Sequence, residues 1–582
     1  MTWRLRSRLA STAVATSLLG ACASAGPGHA DDGPAPRLNQ LGAFGIEMSG
    51  ANPEARRWIE QGLLLAYGFE HGKAAQAFEQ ALREDPQCAM CAWGAAYVLG
   101  PNINLPREYV SLDTLKRAHR FARQADRIAR GLPRLAERDR LLIAAIGERY
   151  EAEPKARREA AGAPGEGAAV CSGADSPFGG EAALAHPREQ AYARAMTEIY
   201  RRFAADVDVA AMYAESLMML TPWAWYDAKT RKAHPNAAAA IEALRKAGAA
   251  APDHPGLIHF LIHATEQGPD ARWAEAGADR LGRVAPGLPH LVHMPSHTYI
   301  RIGRYGDAVA VNQAALAADV KLGAAVRAQG GKVRNNWDGH HLHFLWFAAA
   351  MDGQGRVAVD AARRLSARVS GSARMGDTWR ARTAQELPWL AMVQAQRWQA
   401  ILDTELPPVW WRHERAVAHF ARGMAHAVGQ RDAGEAQFEL VRLEQLAQRG
   451  DADPVDRSAP TLRMAVASLR GEVAWARGDR DTALTWLKKA QQLEEQIDGG
   501  EVASFGAITA PALGSALTAM GRAGEAEAVY RAQLARWPGD PRALHGLARS
   551  LAQQGRADEA STTRAAFDKA WQRADFMLAV RR

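Results

Sequence analysis

The feature that most constrains this chain is a spacing of 34 residues. Gly62, Ala74, Phe78, Ala81 and Pro86 set a series of small, small, bulky, small and Pro. Gly514, Ala526, Tyr530 and Pro538 repeat it near the C-terminus, and Ala560 follows Ala526 by 34 residues. Gly471, Ala483, Leu487 and Ala490 give another copy. Small residues must recur where two helices cross closely, so the series encodes helix pairs stacked on their neighbours. Runs of alternating β-branched residues with hairpin turns are nearly absent. At 582 residues the chain is too long for one compact core. A stack in which each repeat buries its apolar stripe against the next resolves the difficulty. The expected fold is all-α, a right-handed α-solenoid of helix pairs.

That register is the one of the tetratricopeptide repeat, whose landmarks fall at positions 8, 20, 24, 27 and 32 of each unit. In the middle of the chain Ala274, Ala278, Leu281 and Pro286 take positions 20, 24, 27 and 32, and Ala308, Asn312 and Ala315 begin the same series one unit later. Counting back places His259, His263 and Glu266 at positions 5, 9 and 12. His293 and His297 take positions 5 and 9 of the next unit, each 34 residues further on. Ala358 as position 20 puts His343 at position 5 and His340 at position 2 of the unit after that. Spacings of four and seven bring side chains onto one helical face. In repeats of this class positions 2, 5, 9 and 12 of the first helix face the concave groove. Neighbouring first helices pack roughly 8–10 Å apart, so His259, His263, Glu266, His293, His297 and His343 are expected to converge there, with His340 beside them.

Imidazole is the commonest protein ligand for Zn, Cu, Fe and Ni, and two histidines at i, i+4 can grip one ion from one helix. The expected cofactor is therefore a transition metal, Cu, Zn or Fe, as one ion or as a dinuclear pair. Glu266 is the candidate catalytic residue, as ligand, general base or holder of an imidazole tautomer. Groove positions that bind a peptide tail through polar side chains are the plainer alternative. His71 and Glu215 are further candidates, and Asn102, Asn104, Trp223 and Trp225 could line the same wall or simply pack. His413 and His419, six apart, fall on different faces, and no H-E-x-x-H, P-loop, dinucleotide fingerprint or nucleophile elbow occurs. No residue is assigned to binding an organic cofactor.

The N-terminus opens MTWRLRSRLASTAVATSLLGACASAG, basic and then apolar for too short a run to span a bilayer as a mature helix. Residues 1–21 read as a signal peptide. Leu19-Gly20-Ala21-Cys22 resembles a lipobox, which would make Cys22 the lipidated first residue; ordinary cleavage near Ala21-Cys22-Ala23 is the alternative. Residues 22–45 read as a flexible tether, and no later segment as transmembrane. The expected compartment is thus periplasm or outer membrane, with membrane contact only through the lipid. Repeats follow at 46–155, a Gly-rich insertion containing Cys171 at 156–182, the histidine-bearing repeats at 183–370, and further repeats at 371–582 suited to assembly with protein partners. Cys88 and Cys91 form C-x-x-C, readable as a disulfide, a buried thiol pair, a redox pair or half a metal site; Ala92 rules out c-type haem attachment. Seventy-two basic residues against 64 acidic ones are scattered without a basic stripe, which argues against nucleic acid.

The strings AAQAFEQALREDPQCAMCAWG, GPNIN, HPGLIHFLIHATE, APGLPHLVHMPSHTYIRIGRYGDAV and HHLHFLWFAAAMDGQG resemble, in this order, a widespread bacterial group of exported tetratricopeptide proteins. The resemblance covers roughly residues 55–370 and carries no settled activity. It implies that His71, His259, His263, Glu266, His293, His297, His340 and His343 are the matching positions. His341 stands where the group would have Asn, and the insertion around Cys171 departs from it. The functional expectation is an exported lipoprotein whose central repeats hold a transition metal in a histidine-lined groove. It would be a metal-dependent oxidoreductase or hydrolase acting on a small molecule or peptide, or otherwise a metal carrier or protein-binding scaffold.

Overall fold

A computed structural model describes residues 35–152, 185–227, 230–333, 337–370, 379–451, 459–497, 501–503 and 505–578. The expected signal peptide, Cys22, most of the tether and the insertion with Cys171 lie outside these residues. The body is an all-α, tetratricopeptide-like solenoid: helix follows helix from Pro53–Tyr67 to Ala557–Ala570. Among the described residues the only β-pairing is two isolated bridges, Asn102 with Leu105 and Tyr226 with Ala233.

The close crossings are where the repeat pattern requires them. A Cβ on Gly62 would lie 2.8 Å from the Phe78 ring, one on Gly514 2.5 Å from Tyr530, and one on Gly471 2.7 Å from Leu487. Position 8 is small because position 24 of the same unit fills the space. The turn between paired helices uses a left-handed residue five before position 20. Glycine supplies it at Gly303, Gly353, Gly478, Gly521 and Gly555, whereas the first unit uses Phe69, φ 56°.

The two ends of the chain fold back onto the middle. Helix Pro53–Tyr67 packs against Pro255–Glu266. The extended segment around Leu41 accepts the Gly287 N–H. From the other side Arg573 pairs with Asp352 at 2.6 Å, and Asp575 accepts the backbone N–H groups of Gly355 and Arg356. The central repeats thus have these two segments packed against them.

Helix Tyr305–Ala328 is long and apolar enough by length and composition to cross a bilayer, contrary to the sequence expectation. Its buried Ala308, Val309, Asn312 and Ala315 sit inside the body, where Asn312 meets a histidine. Cys88 and Cys91 form a disulfide, buried at the start of helix Ala89–Leu99.

Candidate metal centre

Three chain segments build the site. Helix Pro255–Glu266 begins with Pro at its first turn, where the missing N–H costs nothing, and carries His259, His263 and Glu266. Two short helices, Pro289–His293 and Pro295–Ile302, share Met294 at their junction and carry His290, His293 and His297. Helix Asp338–Met351 supplies His340 and His341. His259, His263, His290 and His293 have no exposure, and His297 has 2 %, none of it on its side chain.

Hydrogen bonds fix the tautomers. His259 Nδ1 lies 2.6 Å from the Tyr67 carbonyl, which can only accept. His263 and His297 donate from Nδ1 to the two oxygens of Glu266, at 2.7 and 2.6 Å. Asn312 donates its Nδ2 to the Ala308 carbonyl at 2.7 Å, so its Oδ1 is what meets His293 Nδ1 at 2.6 Å. Four imidazoles thus carry their proton on Nδ1 and present a bare lone pair on Nε2.

Those lone pairs face other nitrogens. His293 Nε2 is 2.9 Å from His297 Nε2, and His259 Nε2 is 3.2 Å from His290 Nε2. The Nε2 atoms of His263 and His340 have no hydrogen-bond partner. Burial holds His259, His290, His293 and His340 well below the ordinary histidine range, and neighbouring rings push the same way. Burial also lowers His297, against the pull of Glu266. At neutral pH these rings are uncharged; His293 and His297 both carry their one proton on Nδ1, so none bridges that pair, whereas His290, with no partner on Nδ1, can donate from Nε2 to His259. A metal bound at about 2.0–2.1 Å through nitrogens 90–109° apart holds its donors roughly 2.8–3.4 Å from one another. Both contacts fall in that span.

Two sets of three emerge, His259 with His263 and His290, and His293 with His297 and His340; within each, ligand atoms all lie within 4.8 Å of one another. A third set joins His263, Glu266, His297 and Glu501. Burial alone would raise the Glu266 pKa, but the His297 and His263 N–H groups outweigh it and hold the carboxylate down at about 2. Burial and the neighbouring Glu266 charge push Glu501 well above the usual carboxyl range.

Aromatic rings close the walls. Phe69 lies 4.4, 5.9 and 5.2 Å from the rings of His259, His263 and His290, Trp337 4.1 Å from His290, and Phe344 4.4 Å from His297. Trp223 meets His263 edge-on at 5.4 Å.

Of the residues expected from sequence, His259, His263, Glu266, His293, His297 and His340 come together. His343 does not join a set: its ring lies against Trp346 at 5.6 Å. On helix Asp338–Met351 the face toward the cluster runs through His340 and Phe344, one turn apart, and residue 343 points beside it. Glu266, expected as a general base, has both oxygens occupied by imidazole N–H groups, which suits an orienting carboxylate. His71 stacks on the far side of Phe69 at 5.7 Å, with both nitrogens unpartnered and its pKa lowered by burial to about 4. Glu215 accepts the Tyr97 hydroxyl and belongs to a separate buried network in which Arg149 pairs with Glu189 at 2.9 Å. Two residues were missed. His290 falls at position 2 of its unit, three residues before His293 and on the same helical face, so the register that places His293 and His297 also marks it. Glu501 comes from the half of the chain assigned to assembly, and no local sequence signal marks it.

Residues 517–566 match the tetratricopeptide repeat family. No curated protein matches the sequence. Among solved structures, the chain is similar to the tetratricopeptide domain of P58(IPK), with 12% identity over 63% of this chain and 93% of that one, at a TM-score of 0.18. It is also similar to the human IFIT1 dimer with PPP-AAAA, 11% identical over 87% of this chain and 88% of that one, TM-score 0.28. The same dimer with m7Gppp-AAAA gives 12%, 90%, 91% and 0.28. At such scores the likeness carries no argument about ligand or partner.

Proposed function

We propose that this protein binds a transition metal, Cu, Zn or Fe, in a buried imidazole centre built from three successive central repeats. One observation carries the reading: the facing Nε2 lone pairs of His293 and His297 at 2.9 Å, with their Nδ1 protons anchored to Asn312 and Glu266. Two neutral nitrogens pressed together without a proton repel, and a cation between them turns the repulsion into coordination. The solenoid supplies what a metal site needs, rigid helices and anchored ring tautomers. A coordination position left open to a small substrate would make the centre a metalloenzyme of oxidoreductase or hydrolase type; a filled shell would make it a carrier. The export reading of residues 1–22 belongs to the same proposal, supported by the Cys88–Cys91 disulfide, which suits an oxidising compartment.

Metal analysis of the purified protein tests it. Wild type, loaded and desalted, is expected to retain near-stoichiometric metal, and the His259→Ala, His297→Ala double variant to lose it. Failure of wild type to retain copper, zinc or iron would overturn the proposal. A second reading, a protein-interaction scaffold, is favoured by the tetratricopeptide match at 517–566. It places partner binding on the C-terminal repeats and is compatible with a metal centre in the middle.

A further inference from the structure

The cluster holds more ligands than one ion can use. We infer that it binds two copper ions side by side, one in each three-histidine set, an inference that rests on the metal reading above.

The geometry is that of two neighbouring sites. His263 of the first set and His297 of the second have ring centroids 5.4 Å apart, and His290 and His293 are 5.8 Å apart. Glu266 divides its oxygens between the sets, Oε1 on His263 and Oε2 on His297. One carboxylate therefore orients a ligand of each ion without entering either coordination shell, and movement of either ring is felt by the other.

Donor type narrows the metal. Six imidazole donors with the nearest carboxylate occupied disfavour Mg, Ca and Mn, which seek oxygen. Among the divalent ions suited to imidazole, affinity peaks at cupric ion.

Charge narrows it further. The carboxylates that reach the cluster are Glu266 and Glu501, 1 % and 5 % exposed, and the adjoining cation is Arg301. At most two negative charges thus face the ions. Two divalent ions would leave the dry, aromatic-walled site with excess positive charge, which a low-dielectric interior penalises heavily. Even with both carboxylates ionised, two monovalent ions beside Arg301 leave one net positive charge, where two divalent ions would leave three. Copper is the metal among Cu, Zn and Fe with a stable monovalent state, so the pair is bound in its reduced form. Glu501 is brought 3.5 Å from His297 by the C-terminal half of the chain.

The test is loading of the full chain with cuprous ion under anaerobic, reducing conditions, alone and against equimolar zinc. Copper is then counted, and the spin signal is measured after oxidation with ferricyanide. Two coppers per chain, not displaced by zinc, are expected. Oxidation should yield a spin count well below the copper count, because neighbouring cupric ions couple magnetically. His340→Gln, at the edge of the second set, should halve the copper and restore the full signal of one isolated ion. One copper per chain in wild type, preference for zinc, or a spin count equal to the copper count would each overturn the pair. A wild type that retains no metal of any kind removes the function proposed above as well; retention of a single ion, or of zinc, removes this inference alone.

Discussion

The central and C-terminal repeats use buried histidine in opposite ways. In the C-terminal half His413 hydrogen-bonds Glu386, and His419 Nδ1 lies 2.5 Å from Glu439 Oε2. Each carboxylate there has one imidazole to itself. In the centre one carboxylate serves two imidazoles; the nitrogen left over on His297 faces His293 Nε2 at 2.9 Å, and that on His263 has no hydrogen-bond partner. His254, at the start of the histidine-bearing helix, marks the boundary: Nδ1 caps the Leu257 N–H at 3.2 Å and Nε2 meets Asp208 at 3.0 Å, so both nitrogens are satisfied. Burial and a carboxylate partner are common to both regions. What separates a structural histidine from a candidate ligand is the direction of its second nitrogen.

Metal should therefore stabilise one region and leave the other indifferent. A ligand bound to the folded state at a thousandfold excess over its Kd adds about 4 kcal/mol. Loading is expected to raise the unfolding temperature and slow amide exchange in helices Pro255–Glu266 and Pro289–His293, with little change near His413 and His419. Equal protection of both regions would break the comparison.

Glu266→Gln against Glu439→Gln sharpens it. A glutamine at 266 offers one acceptor and one donor where two imidazole donors now point, so one ring must reverse its tautomer or turn. Metal affinity should fall about 10–100-fold, the usual effect of losing a ligand-orienting partner. Glu439→Gln should cost roughly 1–3 kcal/mol of stability by weakening the buried contacts to His419 and Arg422. Titrations with metal should not distinguish it from wild type.

The fold was legible in the sequence because the crossing rule is local: Gly62 and Phe78, or Gly514 and Tyr530, are paired within one unit. The histidine site was legible to the extent that it obeys the same period, which placed His259 and His263 over His293 and His297. The same period also carries His290, at position 2 on the five-residue helix Pro289–His293 that precedes Pro295–Ile302. The site was illegible where helix rotation and long-range contacts decide. Register alone favoured His343, but the rotation of its helix selects His340. Glu501 arrives from the segment between helices Arg480–Ile497 and Thr509–Ala519, a long-range contact that no repeat pattern encodes.

Phe69 belongs to the same contrast. It occupies a left-handed turn that glycine fills in five other units, and an L side chain there costs about 1–2 kcal/mol. Phe69→Gly relieves that strain but deletes a ring 5 % exposed, a core loss of roughly 3–5 kcal/mol. The net expectation is about 2 kcal/mol of destabilisation together with weakened metal retention. Arg431, φ 59° and exposed, holds the equivalent turn in the C-terminal half; Arg431→Gly should gain about 0.5–1 kcal/mol and leave metal untouched. Denaturant midpoints of the two variants with and without metal make the comparison, and a stabilised Phe69→Gly that keeps its metal would remove the turn from the site.

The smallest expected effect is a proton effect confined to the C-terminal half. Burial, with repulsion from Glu386, raises the Glu414 pKa from its ordinary 4.5 to about 7, and its Oε2 has no hydrogen-bond partner. A carboxyl whose folded-state pKa lies above its unfolded value adds stability that is complete below about pH 4.5 and fades as pH rises through about 7. Full burial would make this shift worth about 3 kcal/mol, and partial solvent access reduces it to about 1 kcal/mol. Glu414→Gln keeps the shape and removes the titration. The difference in urea midpoint between variant and wild type should therefore grow in the variant's favour from pH 5 to pH 8. It should do so equally with and without metal, because the ionising group belongs to the region whose histidines each have a carboxylate of their own. A difference that appears only in metal-loaded protein would mean that the two halves share one equilibrium.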